Sequence, residues 1–198
     1  MNDLSVSEQL SVIRAMVARS RRDTAESGRF FVWLGVVALV GVAVIASLEQ
    51  AGRTGLVLPS LVTMAVVSGI VGYLTLARAR KRSGARSYAA AVSAFVWFGV
   101  GTVALLVAFV LPLVGAYGWS LAPVLTCLVL GIGVFSTGAI FEVPTVAWCA
   151  LAWWIAGVGI VFVEGSPRAA IMACAIGVGW ILPGILFGRS SGGNDTDA

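Results

Sequence analysis

The sequence predicts an all-α integral membrane protein. Six transmembrane helices form three tandem parallel hairpin repeats, preceded by a basic amphipathic cytoplasmic helix. Three observations lead there. Of 198 residues, 59% are hydrophobic and 11% charged, against about 45–50% and about 25% in soluble domains. A chain this short cannot hide that much apolar surface in a core, so its solvent is lipid. The apolar residues fall into six runs, about 30–48, 56–77, 88–113, 120–141, 145–163 and 168–188. Each approaches or exceeds the roughly 20 residues that cross a ~30 Å hydrocarbon core. None shows the period-two alternation of a barrel strand. A soluble enzyme, a disordered chain, a secreted disulfide scaffold and a nucleic-acid-binding domain are excluded.

Residues 1–29 read as a cytoplasmic helix. Ser5 and Glu8 have capping-box spacing. Val6, Leu10, Ile13 and Val17 then recur at i, i+4, i+7 and i+11, while Arg14, Arg19, Arg21 and Arg22 supply charge. A basic amphipathic helix beside a first span fits an anchor on anionic inner-leaflet lipids. It also fits a docking surface for a cytoplasmic protein partner or a second copy in a homo-oligomer. The polar head is too long for the n-region of a cleavable signal peptide.

The spans occupy residues 30–188, and 189–198 read as a disordered cytoplasmic tail. Pro59, Pro123, Pro144 and Pro167 sit in first helical turns, where a missing N–H costs nothing. Pro112 closes the third run, and Pro183 lies inside the last, where a kink is expected. The loop after the second span gathers Arg78, Arg80, Lys81, Arg82 and Arg86. With both termini inside, that loop, the head and Arg189 are cytoplasmic, and only Arg53 and Arg168 lie outside. The loop-charge bias therefore predicts this orientation in a prokaryotic plasma (inner) membrane.

The hairpins rest on internal echoes. Phe31-Val32-Trp33-Leu34-Gly35 returns as Phe95-Val96-Trp97-Phe98-Gly99, and the same offset carries Pro59 onto Pro123 and Gly69 onto Gly133. A second offset carries Gly131 and Gly133 onto Gly177 and Gly179, Gly138 onto Gly184, and Phe141 onto Phe187. Two spans per unit give successive copies the same orientation.

Chemistry is sparse. The chain has no His, no phosphate-binding loop, and no visible nucleophile–base or paired-acid arrangement, so catalysis, a metal and a cofactor are not expected. Glu142 is the one acid beside a polar-poor span end, with Ser136 and Thr137 one to two turns earlier. It reads either as an ion or proton site or as a cap on the fifth helix. Cys127 and Cys174 lie at matching depth and read as small buried residues. Trp119 and Trp33 with Trp148 fit the two interfacial belts. Trp97, Trp153, Trp154 and Trp180 lie deeper, where they either line a cavity or simply pack.

Ile13-x-x-Met16-x-x-Arg19-Ser20-Arg21, then Ser27-Gly28 and Trp33-x-Gly35, resembles a loose group of small six-span prokaryotic membrane proteins. They share a polar N-terminal helix running into a Ser-Gly…Trp-x-Gly first span. The resemblance covers about 25 residues and implies architecture only, with no catalytic or ligand residue attached. In span number the chain is also similar to the substrate-binding subunits of energy-coupling vitamin transporters, although its basic head is longer and its polar ligand groups fewer. The sequence thus points to a non-enzymatic binding, scaffold or regulatory subunit, with a small transporter or channel as the alternative. If the head is a lipid anchor, a peptide of residues 1–29 should bind anionic vesicles and release as salt rises, since screening acts within about 8–10 Å. Equal binding to neutral vesicles, measured by co-sedimentation, would contradict the anchor.

Overall fold

The computed structural model describes residues 6–82 and 88–192, with side chains for 28–74 and 88–188. Every regular element among them is helical. Helix α1 runs Val6–Gln50, and α2 follows a 3-10 turn as Val57–Arg82. Then come α3 (Tyr88–Leu113), α4 (Ala122–Ile140), α5 (Pro144–Gly159) and α6 (166–192). Five of these are long and apolar enough to cross a membrane, and α5 is apolar but shorter. Its 16 residues cover about 24 Å, and a turn through Val161 and Phe162 adds to that reach.

Helix boundaries depart from the sequence reading in three places. Helix α1 does not stop near residue 29 but runs unbroken for 45 residues. Gly28 alone costs a helix only about 1 kcal/mol, too little to end one. The head is therefore continuous with the first span, and the side chains of Arg14, Arg19, Arg21 and Arg22 lie outside the described residues. Arg78, Arg80, Lys81 and Arg82, expected in a loop, form the end of α2, where positive charge complements the helix dipole. Helix α6 continues to Gly192, four residues into the expected tail, and residues 193–198 lie outside the description.

The two mid-chain prolines act in the same way. Each follows a five-residue π segment, Leu106–Val110 before Pro112 and Gly177–Ile181 before Pro183. Leu111 N–H reaches the carbonyl of Leu106, and Leu182 N–H that of Gly177. A proline ring clashes with the carbonyl four residues back, and the wider turn accommodates it. In that register Pro112 would have to serve the carbonyl of Val107, but it has no N–H. The Tyr117 hydroxyl, returning from the following turn, donates to Val107 instead.

The helices pack as an open arc in the order α2, α1, α6, α5, α4, α3, with the broadest contact between α4 and α5. Gly28 meets Gly184 and Gly35 meets Ile181, so α1 and α6 run antiparallel. Gly41 on Met64 and Gly72 on Phe30 set α2 antiparallel to α1. Helices α2 and α3 end the arc without an extensive mutual contact, and the span window of α2 has no buried residue. Trp97 of α3 draws the arc together at one end, meeting Phe31 and Phe30 edge-on at 5.4 and 6.1 Å. The centre holds Phe31, Val134, Val146, Trp153, Ile176 and Phe187, all nearly inaccessible.

Several joints need a missing side chain. A Cβ on Gly138 would stand 2.3 Å from the backbone nitrogen of Ala147, whereas one on Gly99 meets nothing within 4 Å. Gly138→Ala should destabilise the bundle by about 1–3 kcal/mol, the cost of overpacking. Gly99→Ala should instead stabilise it by about 0.5–1 kcal/mol through helix propensity. Unfolding titrations in mixed detergent check both, and equal effects would contradict this packing.

Candidate functional site: the Glu142 turn and the tryptophan core

Glu142 does not cap α5 with its side chain. The N-cap there is Val143, with no side-chain hydrogen bond. Glu142 instead ends α4 through its backbone, in the left-handed region with φ 56°. Its N–H donates to the Ala139 carbonyl at 3.2 Å, and Val143 N–H donates to Gly138 at 2.8 Å. This is the paired closure of a Schellman turn at the position where glycine is usual. The carboxylate is exposed.

The structure does not gather Ser136, Thr137 and Glu142 into one polar site. Thr137 is fully buried, and its hydroxyl is used twice. It donates to the Gly133 carbonyl at 2.8 Å and accepts from the Trp97 indole at 2.9 Å. Ser136 is half-buried.

The four deep tryptophans meet protein. Trp97 packs on Gly133 while bonding Thr137. Trp154 packs on Gly131 and donates to the Leu128 carbonyl at 3.2 Å. Trp153 packs on Gly179 and lies 4.8 Å from Trp180, ring centre to ring centre. Their two indole N–H groups are buried without partners. The other tryptophans are more open, with Trp33 57%, Trp119 43% and Trp148 70% exposed. Cys127 is buried against the Met172 sulfur at 3.6 Å, while Cys174 is exposed.

Sequence reasoning missed Arg168. Its guanidinium turns to the C-terminal end of α5 and donates to the Ile160 carbonyl at 3.3 Å. A cation at a helix C-terminus is favourable, and the only sequence signal was Arg168 lying eight residues beyond the last turn of a short span. The Phe31–Phe187 and Phe141–Phe187 contacts at 6.0 and 5.6 Å were equally hidden, since Phe31 and Phe187 lie at opposite ends of the membrane domain in sequence.

An L-residue in the left-handed region costs about 1–2 kcal/mol that glycine avoids. Glu142→Gly should therefore raise stability by about 1 kcal/mol, read as a higher unfolding midpoint in detergent. A lower midpoint would mean that the carboxylate makes a stabilising contact. Comparison with known protein families, characterised proteins and solved structures finds no match.

Proposed function

We propose that the chain is a non-enzymatic multi-pass membrane protein acting as a membrane-embedded binding, scaffold or regulatory subunit. It sits in a prokaryotic plasma membrane with both termini cytoplasmic, and works through its basic head and the basic end of α2. Anionic inner-leaflet lipids, a cytoplasmic protein or a second copy are the partners this reading allows. The resemblance to small six-span prokaryotic proteins belongs to the same reading.

The observation that carries it is the filled interior. A permeation path needs polar side chains around a shared hollow, but Trp153, Trp180 and Ile176 pack inside this bundle, and Phe31 and Phe187 close it at one end. Two open hollows among the described residues lie elsewhere. One of about 520 Å³ is lined by α1 and Arg53, and one of about 150 Å³ lies at the α1–α6 crossing.

The transporter alternative is favoured by a different observation, the recurrence of contacts. Trp97 lies on Gly133 between α3 and α4, and Trp153 lies on Gly179 between α5 and α6. Gly138 packs across to α5, and its counterpart Gly184 packs across to α1. The recurrence is partial, since Gly177 and Gly69 meet nothing within 4 Å where Gly131 and Gly133 each meet a tryptophan, and it supports tandem parallel hairpins, an arrangement some transporters use, only for the later spans.

Ion flux separates the two. The subunit reading expects proteoliposomes containing the protein to hold a proton gradient as long as empty vesicles do, with Glu142→Gln no different. Gradient collapse by the wild type, abolished in a folded Glu142→Gln variant, would move the protein into the transporter class.

A further inference from the structure

Along α1, Arg29, Trp33, Val36, Val40, Val44 and Ser47 are all exposed. Spacings of three and four place them on one helical face. That face runs the length of the span, and among the described residues no helix covers it. In the half remote from the N-terminus it carries a trough of about 520 Å³, lined by Val40, Val44 and Leu48, by the small Ala43, Ser47 and Ala51, and by Arg53.

Arg53 reaches the trough through the turn that ends α1. Gly52 adopts φ 70°, Gly52 N–H donates to Glu49 at 3.0 Å, and Arg53 N–H donates to Leu48 at 2.9 Å. This Schellman closure folds the chain back over the last helical turn and sets Arg53 among the lining residues. Glu49, two positions after Ser47, lies on the opposite side of the helix. The one hydroxyl in the trough is satisfied, because Ser47 donates to the Ala43 carbonyl at 2.8 Å. What remains is a shallow, open apolar trough with a cation at its end.

We propose that this face binds an anionic phospholipid, with one acyl chain along the trough from Val40 to Ala51 and the phosphate on Arg53. The inference rests on α1 spanning the membrane and is independent of the subunit role. The dimensions fit. From Val40 to Ala51 is about 17 Å at ~1.5 Å per residue, close to half of a ~30 Å hydrocarbon core. The span Gly28–Gln50 of 23 residues covers about 34 Å, so Arg53 emerges at headgroup depth.

Charge chooses between this occupant and a second copy. A two-fold axis along the membrane normal would bring two α1 faces together in parallel, Arg29 opposite Arg29 and Arg53 opposite Arg53. Like charges oppose that arrangement at both ends, whereas a phosphate complements the arginine.

The test uses the full chain in neutral detergent, titrated with phosphatidylglycerol or with phosphatidylcholine of the same chains. Bound lipid is counted by native mass spectrometry, and unfolding midpoints confirm that each variant is folded. The wild type should hold one phosphatidylglycerol more tightly than phosphatidylcholine. Arg53→Gln should weaken phosphatidylglycerol about fivefold, the weight of one basic residue near an anionic surface, and Arg53→Lys should restore most of it. Ser47→Leu, which fills the trough, should weaken both lipids. Wild-type phosphatidylglycerol binding in both Arg53→Gln and Ser47→Leu would overturn the proposal. So would near-complete dimer cross-linking in membranes through Ser47→Cys in a background lacking the three native cysteines, because the occupant would then be a second copy.

Discussion

The bundle depends on backbone brought close to backbone or to an indole face. Between helices in lipid no apolar surface leaves water, so association relies on dispersion contacts that fall off within an ångström of the optimum. Glycine permits the approach. Gly131, Gly133 and Gly179 each receive a tryptophan ring, and Gly28 and Gly184 set two backbones against each other. The indole supplies large, flat contact area with few rotamers to freeze. Glycine and tryptophan, at opposite extremes of size, therefore make one interlocking surface, and Gly138 against Ala147 extends it to the α4–α5 joint.

A second constraint governs the helix ends and interruptions. Hydrocarbon offers no water to an unmet carbonyl, so departures from α geometry are compensated locally. Before Pro112 the compensation is a wider turn and a tyrosine hydroxyl from the next loop. At the end of α4 it is a Schellman turn that holds Glu142 in a conformation suited to glycine. At the end of α5 it is the Arg168 guanidinium. Read this way, Glu142 is a backbone terminator whose carboxylate faces outward, and the short α5 is tied at its far end by a residue from the next helix.

The helical class was legible because hydrophobic run length is a direct image of bilayer thickness, and runs such as 88–113 and 168–188 nearly coincide with α3 and the span of α6. The division of tryptophans was also legible, since depth along a span separates Trp148 at an end from Trp153 near the middle. Neighbour relations were legible only in part. Consecutive spans do pair, α1 with α2, α3 with α4 and α5 with α6, but the contact of α1 with α6, where Phe31 meets Phe187, was hidden. Nothing in a local pattern records which of several Gly-bearing faces will meet. The bearing of Glu142 was hidden for a similar reason. A one-residue difference between capping the next helix and closing the previous one depends on φ, which Glu does not reveal as Gly would.

The centre contains two unpartnered indole N–H groups, on Trp153 and Trp180. In a water-soluble core each would be a defect costing about 1–3 kcal/mol, because water would have satisfied the group in the unfolded chain. Here the reference state is different. A helix inserted but not yet packed holds Trp153 about 14 Å from the start of α5, deep in hydrocarbon, where its N–H already lacks a partner. Packing Trp153 against Gly179 and Trp180 therefore adds no new desolvation cost, while the contact between the rings contributes about 0.5–1.5 kcal/mol. The expense falls on insertion, and association recovers part of it. Such a dry aromatic centre is sustainable in lipid for the same reason that it would be poor design in water.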